Sequence, residues 1–475
     1  MKIYLDNIGV IKNSEIIVDG LTIIAGENSS GKSTIGKSLY AVYNALEKIE
    51  IRNKNDKINY AANVVGQIMR SGELIYVINQ LRRSANNDES LINYFSKPFV
   101  RPNTIEETEE QLLSLKKNLI ELSLFVLEMQ NLSESSKKMM IDMMEKTKST
   151  SVSRIDSVLN LFKIDKNMIQ YTSDWIAKSL GAEMSNQIQP YKLDGVKSVI
   201  RIEDNAPDFM KFSIENRTRY RVSCKRELKS IDEVFLLDNI LDLDLSSSSV
   251  YDRFNVTISK ESEKLPTEYY NLMNSRSALK HNNKNRYILG SLGNRSVIEE
   301  SEQGKKIKHI MDLLDAIIPG QFSSREDGMY YIENQKELNA TNMASGAKLL
   351  AMIKILLARG DLDERSLLVL DEPECHLHPE WQRKLAKIIC LMIGDLGVRV
   401  VVTTHSPNFM LALDTYSLKF KIREKTHIYQ SQKLEDNYMS SFIEIGDKVD
   451  LIYASMAKPF LELDAERSKI LQDNE

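Results

Sequence analysis

At 475 residues the chain has room for two or three domains. Its 42% hydrophobic and 27% charged residues are those of an ordinary globular protein. A net charge of −4 excludes a polycation, so any nucleic-acid contact must come from a local patch. Cys224, Cys375 and Cys390 have no C-x-x-C spacing, which predicts a reducing cytoplasm and disfavours a zinc site. No apolar stretch approaches the ~18 residues of a membrane span, and the N-terminus lacks a signal-peptide core. The sequence therefore reads as that of a cytoplasmic protein with no membrane partner.

In chain order, Ile3–Leu5, Glu15–Val18 and Leu21–Ala25 read as short strands, with turns at Asn13-Ser14 and Asp19-Gly20. The third strand runs into Gly26-Glu27-Asn28-Ser29-Ser30-Gly31-Lys32-Ser33-Thr34, a G-x-x-x-x-G-K-S loop. Ile35, Leu39, Val42 and Leu46 follow at helical spacing. Strand, glycine loop and helix are the context a phosphate loop requires. Gly26 and Gly31 let the backbone close on phosphate oxygens, and the amides from Ser29 to Thr34 open a helix whose dipole favours anions. Lys32 is placed for the β- and γ-phosphates, and the Ser33 hydroxyl for Mg2+. The expectation is a bound nucleoside triphosphate.

Residues 51–190 change character, with few glycines or prolines and long helical patterns. Ile105, Thr108, Leu112, Leu115, Leu119, Leu122, Val126 and Met129 form a heptad seam, broken at Ser133 and Ser136. Such a seam serves either a coiled-coil partner or a helical hairpin within its own subdomain, and the hairpin is the simpler use. Strands return at Ser198–Ile202, Met210–Ile214, Arg219–Ser223 and Val234–Leu237. Arg217, Arg219 and Arg221 alternate through one of these, so a strand would align three guanidiniums on one face. That face is either a contact for a nucleic-acid backbone or a solvated face balanced by carboxylates such as Glu215 and Glu227. Residues 246–249 and 280–286 read as loops.

Thr341-Asn342-Met343-Ala344-Ser345-Gly346-Ala347-Lys348 opens an apolar helix, with Ser345 a suitable N-cap. Ser366–Leu370 is an all-apolar run ending in Asp371-Glu372-Pro373, as expected of a strand buried on both faces of a parallel sheet. At its carboxyl end Asp371 can hold the metal's water shell opposite Ser33, and Glu372 can orient and deprotonate an attacking water. A second buried run, Val398–Thr404, ends in His405, within reach of a γ-phosphate.

The order of phosphate loop, Ser-Gly helix start, Asp-Glu strand and histidine strand is that of ABC-type ATPases. The chain resembles the RecF and OLD (overcoming lysogenisation defect) group of these. A-G-E-N-S-S-G-K-S-T, M-A-S-G-A-K, D-E-P-E-C-H-L-H-P with Gln382, and T-T-H-S-P carry the resemblance, over about 1–48 and 338–410. It implies an α/β ABC-type (RecF/OLD-like) head with a large helical insertion. The expected parts are an N-terminal ATPase lobe (1–50), the insertion (51–190) and a mixed region completing head and lid (191–330). A signature, Asp-Glu and histidine lobe (331–415) and a C-terminal extension (416–475) follow.

The resemblance further implies ATP and Mg2+ as cofactors and two chains packed head to tail. The Ser345-Gly346 helix of one would close over the phosphate loop of the other. It makes the His376–His378 stretch a subunit-contact loop rather than a metal pair. Ala344 stands where members usually carry serine, so either Ser345 takes over the γ-phosphate contact or hydrolysis is slow. The roughly 65 residues after Pro407 do not fit a Toprim nuclease domain. ATPases of this build resemble the ATPase subunits of bacterial anti-phage systems such as Septu, which act with a separate effector nuclease or toxin. A RecF-like DNA-repair ATPase is the alternative.

Overall fold

The structure is a computed structural model. It describes residues 1–47, 49–83, 89–98, 100–129, 133–163, 168–204, 209–215, 219–224, 228, 230–238, 302–325, 328–435, 438–446 and 448–472. Two compact units emerge. One takes in Met1–Glu47 and the described residues from Thr172 onward, and the other lies within Lys48–Tyr171.

The first unit begins with β1 (Lys2–Asp6), β2 (Ser14–Ile17), β3 (Leu21–Ala25) and α1 (Lys32–Leu46). Every residue of β3 is buried, the pattern of a strand covered on both faces. The second unit is helical in its described elements: α2 (Ile49–Met69), α3 (Gly72–Arg83), α4 (Glu89–Ser96), α5 (Ile105–Glu128) and α6 (Glu134–Lys163). Leu112, Leu115, Leu119, Leu122 and Val126 of α5 are fully buried, and α5 packs on α6. The heptad seam thus closes a hairpin inside its own subdomain. Thr104 caps α5 by accepting from Glu107 N at 3.1 Å, while the Glu107 carboxylate accepts from Asn103 N at 2.9 Å.

The chain continues through α7 (Met168–Glu183), β4 (Ser198–Glu203), β5 (Phe209–Glu215), β6 (Arg219–Cys224), β7 (Glu233–Leu237) and α8 (Glu302–Asp315). A small hairpin sheet of β8 (Gln321–Arg325), β9 (Gly328–Glu333) and β10 (Lys336–Asn339) precedes α9 (Ser345–Arg359), β11 (Ser366–Asp371) and α10 (Pro379–Leu396). Last come β12 (Arg399–Thr404), α11 (Pro407–Lys419), β13 (Thr426–Lys433), β14 (Ser440–Glu444) and α12 (Val449–Gln472).

Among the described residues, the central sheet has the order β14-β13-β3-β12-β11-β7. Strands β13, β3, β12, β11 and β7 are parallel, and β14 runs antiparallel at one edge. Residues Leu21, Ile23, Leu368, Leu370, Val400 and Val402 of this sheet share one core with α8 to α11. Side chains alternate across a strand, so α1, packed on β7, β11 and β12, covers the opposite face. Gly36 permits that contact, since a Cβ there would stand 2.7 Å from Val369 Cγ1. A second, antiparallel sheet has the order β2-β1-β4-β5-β6.

The register sets the site. Ala25 lies beside Thr404, Thr403 beside Asp371, and Leu370 beside Leu237, so all four strands end at one carboxyl edge. Ligands of open α/β sheets bind at such an edge. Strand β13, in the segment the sequence leaves as a C-terminal extension, also joins this sheet directly beside the phosphate-loop strand.

Candidate nucleotide site

The loop from Gly26 to Gly31 leaves β3 and enters α1 with Gly31 in the left-handed region at φ +94°. Ser29 also has positive φ, at +62°. A Cβ on Gly26 would lie 2.6 Å from Ser431 Cβ on β13, and one on Gly31 would lie 2.8 Å from Ile11 Cγ1. Both positions therefore exclude a side chain on steric grounds. Asn28 and Ser29 are exposed at the tip, Ser30 is buried, and Ser33 and Thr34 are half-buried in the first turn of α1. Buried Lys32 folds back on its own loop, donating from Nζ to Gly26 O at 3.0 Å and Glu27 O at 2.9 Å. The same Nζ stands 3.5 Å from Glu372 Oε1. Glu27 pairs with Lys433 of β13 at 2.8 Å, which holds its carboxyl below the usual range.

At the end of β11, Asp371 accepts a hydrogen bond from Thr403 Oγ1 at 2.5 Å. The Glu372 N–H donates to that hydroxyl at 3.0 Å and to Thr403 O at 3.2 Å. These bonds hold Glu372 at φ +48°, a conformation that costs a non-glycine residue about 1 kcal/mol or more. His405 follows β12 with Nδ1 3.3 Å from Glu372 Oε1. Lys32, Glu372 and His405 thus meet at one carboxylate.

Behind them sits Glu374, 3% exposed. Its Oε1 accepts from Thr404 Oγ1 at 2.6 Å and from His405 N at 3.1 Å. Burial pushes this carboxyl up. Burial, with the neighbouring carboxylates, pushes the Cys375 thiol up to about 11.

Ser33, Asp238, Ser345, Asp371, Glu372 and His376 line one pocket of about 410 Å3. The donor set suits a magnesium nucleotide. The glycine cradle admits no side chain, and the buried Ser30 Oγ has no hydrogen-bond partner among the described residues. A serine hydroxyl and a strand-end carboxylate, Ser33 and Asp371, supply hard oxygen ligands.

The signature helix needs one correction. Helix α9 starts at Ser345, its N-cap is Ala344, and no side chain caps it. Ser345 is the first helical residue rather than the cap, because Ala344 carries the extended backbone that a cap requires. Ala347 N and Lys348 N donate to Ala344 O, and no side chain caps the two amides before them. Ser345 also lines a pocket with Ser33 in its own chain. Gly346 packs so tightly that a Cβ would meet His376 O at 2.8 Å.

Of the two histidines in the D-E-P-E-C-H-L-H-P stretch, His378 caps α10, its Nδ1 accepting from Glu380 N at 3.3 Å. His376 turns the chain at φ +67°. Gln382 pins the stretch from both sides. Its Nε2 donates to Leu377 O at 3.1 Å, and its Oε1 accepts from Ser406 Oγ at 3.3 Å and Asn408 Nδ2 at 3.1 Å. The partners the sequence reading missed are Thr403, Thr404, Glu374, Asp238 and Lys433. Threonines at strand ends and a glutamate two residues beyond Glu372 were signals already present in the motifs.

The arginine strand lies elsewhere. Arg219 and Arg221 belong to β6, at the edge of the second sheet, with Glu215 the register partner of Arg219 and Arg221 exposed. Arg217 lies outside the described residues, as do Glu227, residues 246–249 and 280–286. No described helix is long and apolar enough to cross a membrane.

A family model for an AAA ATPase domain matches residues 1–410. A search of curated proteins finds no match. Among solved structures, the chain is similar to the SMC head domain from Thermotoga maritima, at 10% identity over 94% of this chain and 98% of that one, with a TM-score of 0.35. It is also similar to an Smc head domain with an extended coiled coil, bound to the C-terminal domain of ScpA, derived from Pyrococcus furiosus. That match has 12% identity over 98% of each chain and a TM-score of 0.38. With the phosphate loop, Asp371-Glu372 and His405 gathered on one edge of a mixed α/β sheet and the family matched over most of its length, the chain belongs to the AAA ATPase domain family.

Proposed function

We propose that the protein hydrolyses ATP slowly at this pocket and uses the cycle to control its own assembly and a separate effector. The observation that carries the reading is the convergence of Lys32, Glu372 and His405 at the carboxyl edge where Ser33 and Asp371 also stand. When bound, Mg2+ held by Ser33 and Asp371 would neutralise charge on the β- and γ-phosphates. Lys32 is placed to leave its loop carbonyls for phosphate oxygens, and the amides of Ser29 to Thr34 cradle the chain of phosphates. Glu372 takes a proton from the attacking water, and His405 donates toward the γ-phosphate. Thr403 fixes the Glu372 backbone, and Glu374 holds the His405 amide.

The uncapped start of α9 supports an anion-binding role for Ser345 and Gly346. With Ala344 at the cap, one hydroxyl fewer faces the phosphate, which favours slow turnover and the behaviour of a switch. The RecF/OLD-like motifs favour head-to-tail packing, in which α9 closes over the partner's phosphate loop. Mixing two inactive chains, Lys32→Ala and Ser345→Arg, tests this. Head-to-tail sites restore phosphate release in the mixture, because one composite site in the mixed dimer is intact. Closure within each chain restores nothing.

On the same resemblance, the effector is a nuclease or toxin acting in bacterial anti-phage defence. The test is phage challenge of cells carrying the gene with its neighbours, comparing wild type with Glu372→Gln. Protection lost in the variant supports the reading, and equal protection overturns it. The second reading, a RecF-like DNA-binding repair ATPase, is favoured by the exposed Arg221 on the β6 edge. Charge reversal, Arg219→Glu with Arg221→Glu, would then abolish binding to duplex DNA in a gel-shift assay.

A further inference from the structure

A second chemistry is built into the same corner of the site. Beyond Glu372 the chain turns tightly, with Cys375 N donating to Glu372 O at 3.0 Å. The turn brings Cys375 Sγ to 3.7 Å from Glu372 Oε2. From the neighbouring strand, His405 Nδ1 comes to 3.3 Å from Glu372 Oε1. One carboxylate oxygen, one thiol sulfur and one imidazole nitrogen lie within 4.8 Å of one another.

Zinc bonds of roughly 2.0–2.3 Å in a tetrahedron require ligand atoms roughly 3.3–3.6 Å apart; the thiol and the imidazole each come near that spacing from one of the two Glu372 oxygens, and lie within 4.8 Å of each other. Glu374 lies behind His405 and outside this cluster. Buried Glu374 has Oε1 3.8 Å from His405 Nδ1, and its Oε2 is buried without a hydrogen-bond partner among the described residues. The mixed N, O and S set suits a borderline-soft cation. Mg2+ takes oxygen ligands and has no use for a thiol. His405 is 43% exposed, which leaves an entry path.

We propose that Glu372, Cys375 and His405 form a Zn2+ site that shuts off ATP turnover. The metal would occupy both the carboxylate that deprotonates water and the imidazole that meets the γ-phosphate. Inhibition thus rests on the function proposed above, whereas the metal site does not. Cys375 takes part in no step of the hydrolysis, so its removal separates the two.

The test uses the full chain freed of metal with a chelator. Zn2+ alone is titrated against a chromophoric competitor, and Co2+ serves as a spectroscopic probe of thiolate ligation. Wild type is expected to bind one Zn2+ per chain and to show thiolate-to-cobalt charge-transfer absorption. Cys375→Ser and Cys375→Ala should lose the absorption and at least tenfold in affinity, with unchanged urea midpoints as the check on folding. One equivalent of Zn2+ should cut Mg2+-dependent phosphate release tenfold or more in wild type but not in Cys375→Ser, reversibly with chelator. Zinc binding unchanged in both cysteine variants, or wild-type turnover indifferent to stoichiometric Zn2+, would overturn the proposal. A chain that binds Co2+ through Cys375 but never releases phosphate supports the site and counts against the ATPase reading instead.

Discussion

Thr403 makes three contacts at the centre of the site, and its hydroxyl makes two of them: it donates to Asp371 and accepts from Glu372 N. Removing it leaves a carboxylate one donor short and the positive-φ backbone of Glu372 held through Thr403 O alone. A hydrogen bond to a charged group contributes about 1.5–3 kcal/mol, so Thr403→Val should lower kcat about tenfold or more. KM should change little, because Lys32 and the glycine loop are untouched. Steady-state phosphate release reads the split, and an unchanged kcat would show that Thr403 positions nothing.

Glu374 offers a pH test. Burial raises its carboxyl above the ordinary 4.5. Between 4.5 and that raised value the native state keeps a proton that the unfolded chain has released, so stability falls as pH rises through the window. Glu374→Gln removes that titration. Urea unfolding from pH 4.5 to neutrality should show a shallower fall in the variant than in wild type. Equal slopes would mean that Glu374 ionises as freely in the fold as outside it.

Helix α1 meets the sheet through Gly36, and that contact sets the position of the phosphate loop. Gly36→Ala places a methyl against Val369 Cγ1 on a stiff β-branched side chain, an overpacking expected to cost about 1–3 kcal/mol. The denaturation midpoint should drop accordingly, and no drop would mean that α1 shifts outward freely.

At this scale much was legible in the sequence. The phosphate loop announced itself because each of its residues answers a single geometric demand, and Leu112 to Val126 did so through an unbroken heptad. The all-apolar runs into Asp371 and His405 predicted parallel neighbours, and β11 and β12 are paired in register. Strand β13 was not legible. Thr-His-Ile-Tyr-Gln-Ser-Gln-Lys mixes polar residues into a strand between the phosphate-loop strand and the edge strand β14, so it shows no run of burial. Glu374 was hidden for the opposite reason. A glutamate reads as solvated, and only the fold shows it 3% exposed against Thr404 and the His405 amide. Ser345 was misread as a cap because serine favours that position, whereas the helix begins at Ser345 itself.

For the whole molecule, the proposed head-to-tail packing joins one pocket to one assembly step. In the head-to-tail arrangement ATP acts as an adhesive between two chains and hydrolysis releases it, so arresting hydrolysis should arrest the assembly. Lys32→Ala should remain monomeric at any ATP concentration and lose the nucleotide-dependent rise in melting temperature. A Lys32→Ala chain that assembles with ATP as wild type does would separate assembly from this pocket.

The most direct measurement is mass in solution together with ATP turnover, with and without ATP and Mg2+, for wild type and Glu372→Gln. A positioned general base contributes roughly 10²–10⁴-fold, so the variant should lose turnover by that factor. It should also accumulate as an ATP-dependent dimer or larger assembly that wild type reaches only transiently. If Glu372→Gln releases phosphate as fast as wild type and neither chain changes mass with ATP, Glu372 is not the base, and nucleotide does not drive assembly through this site.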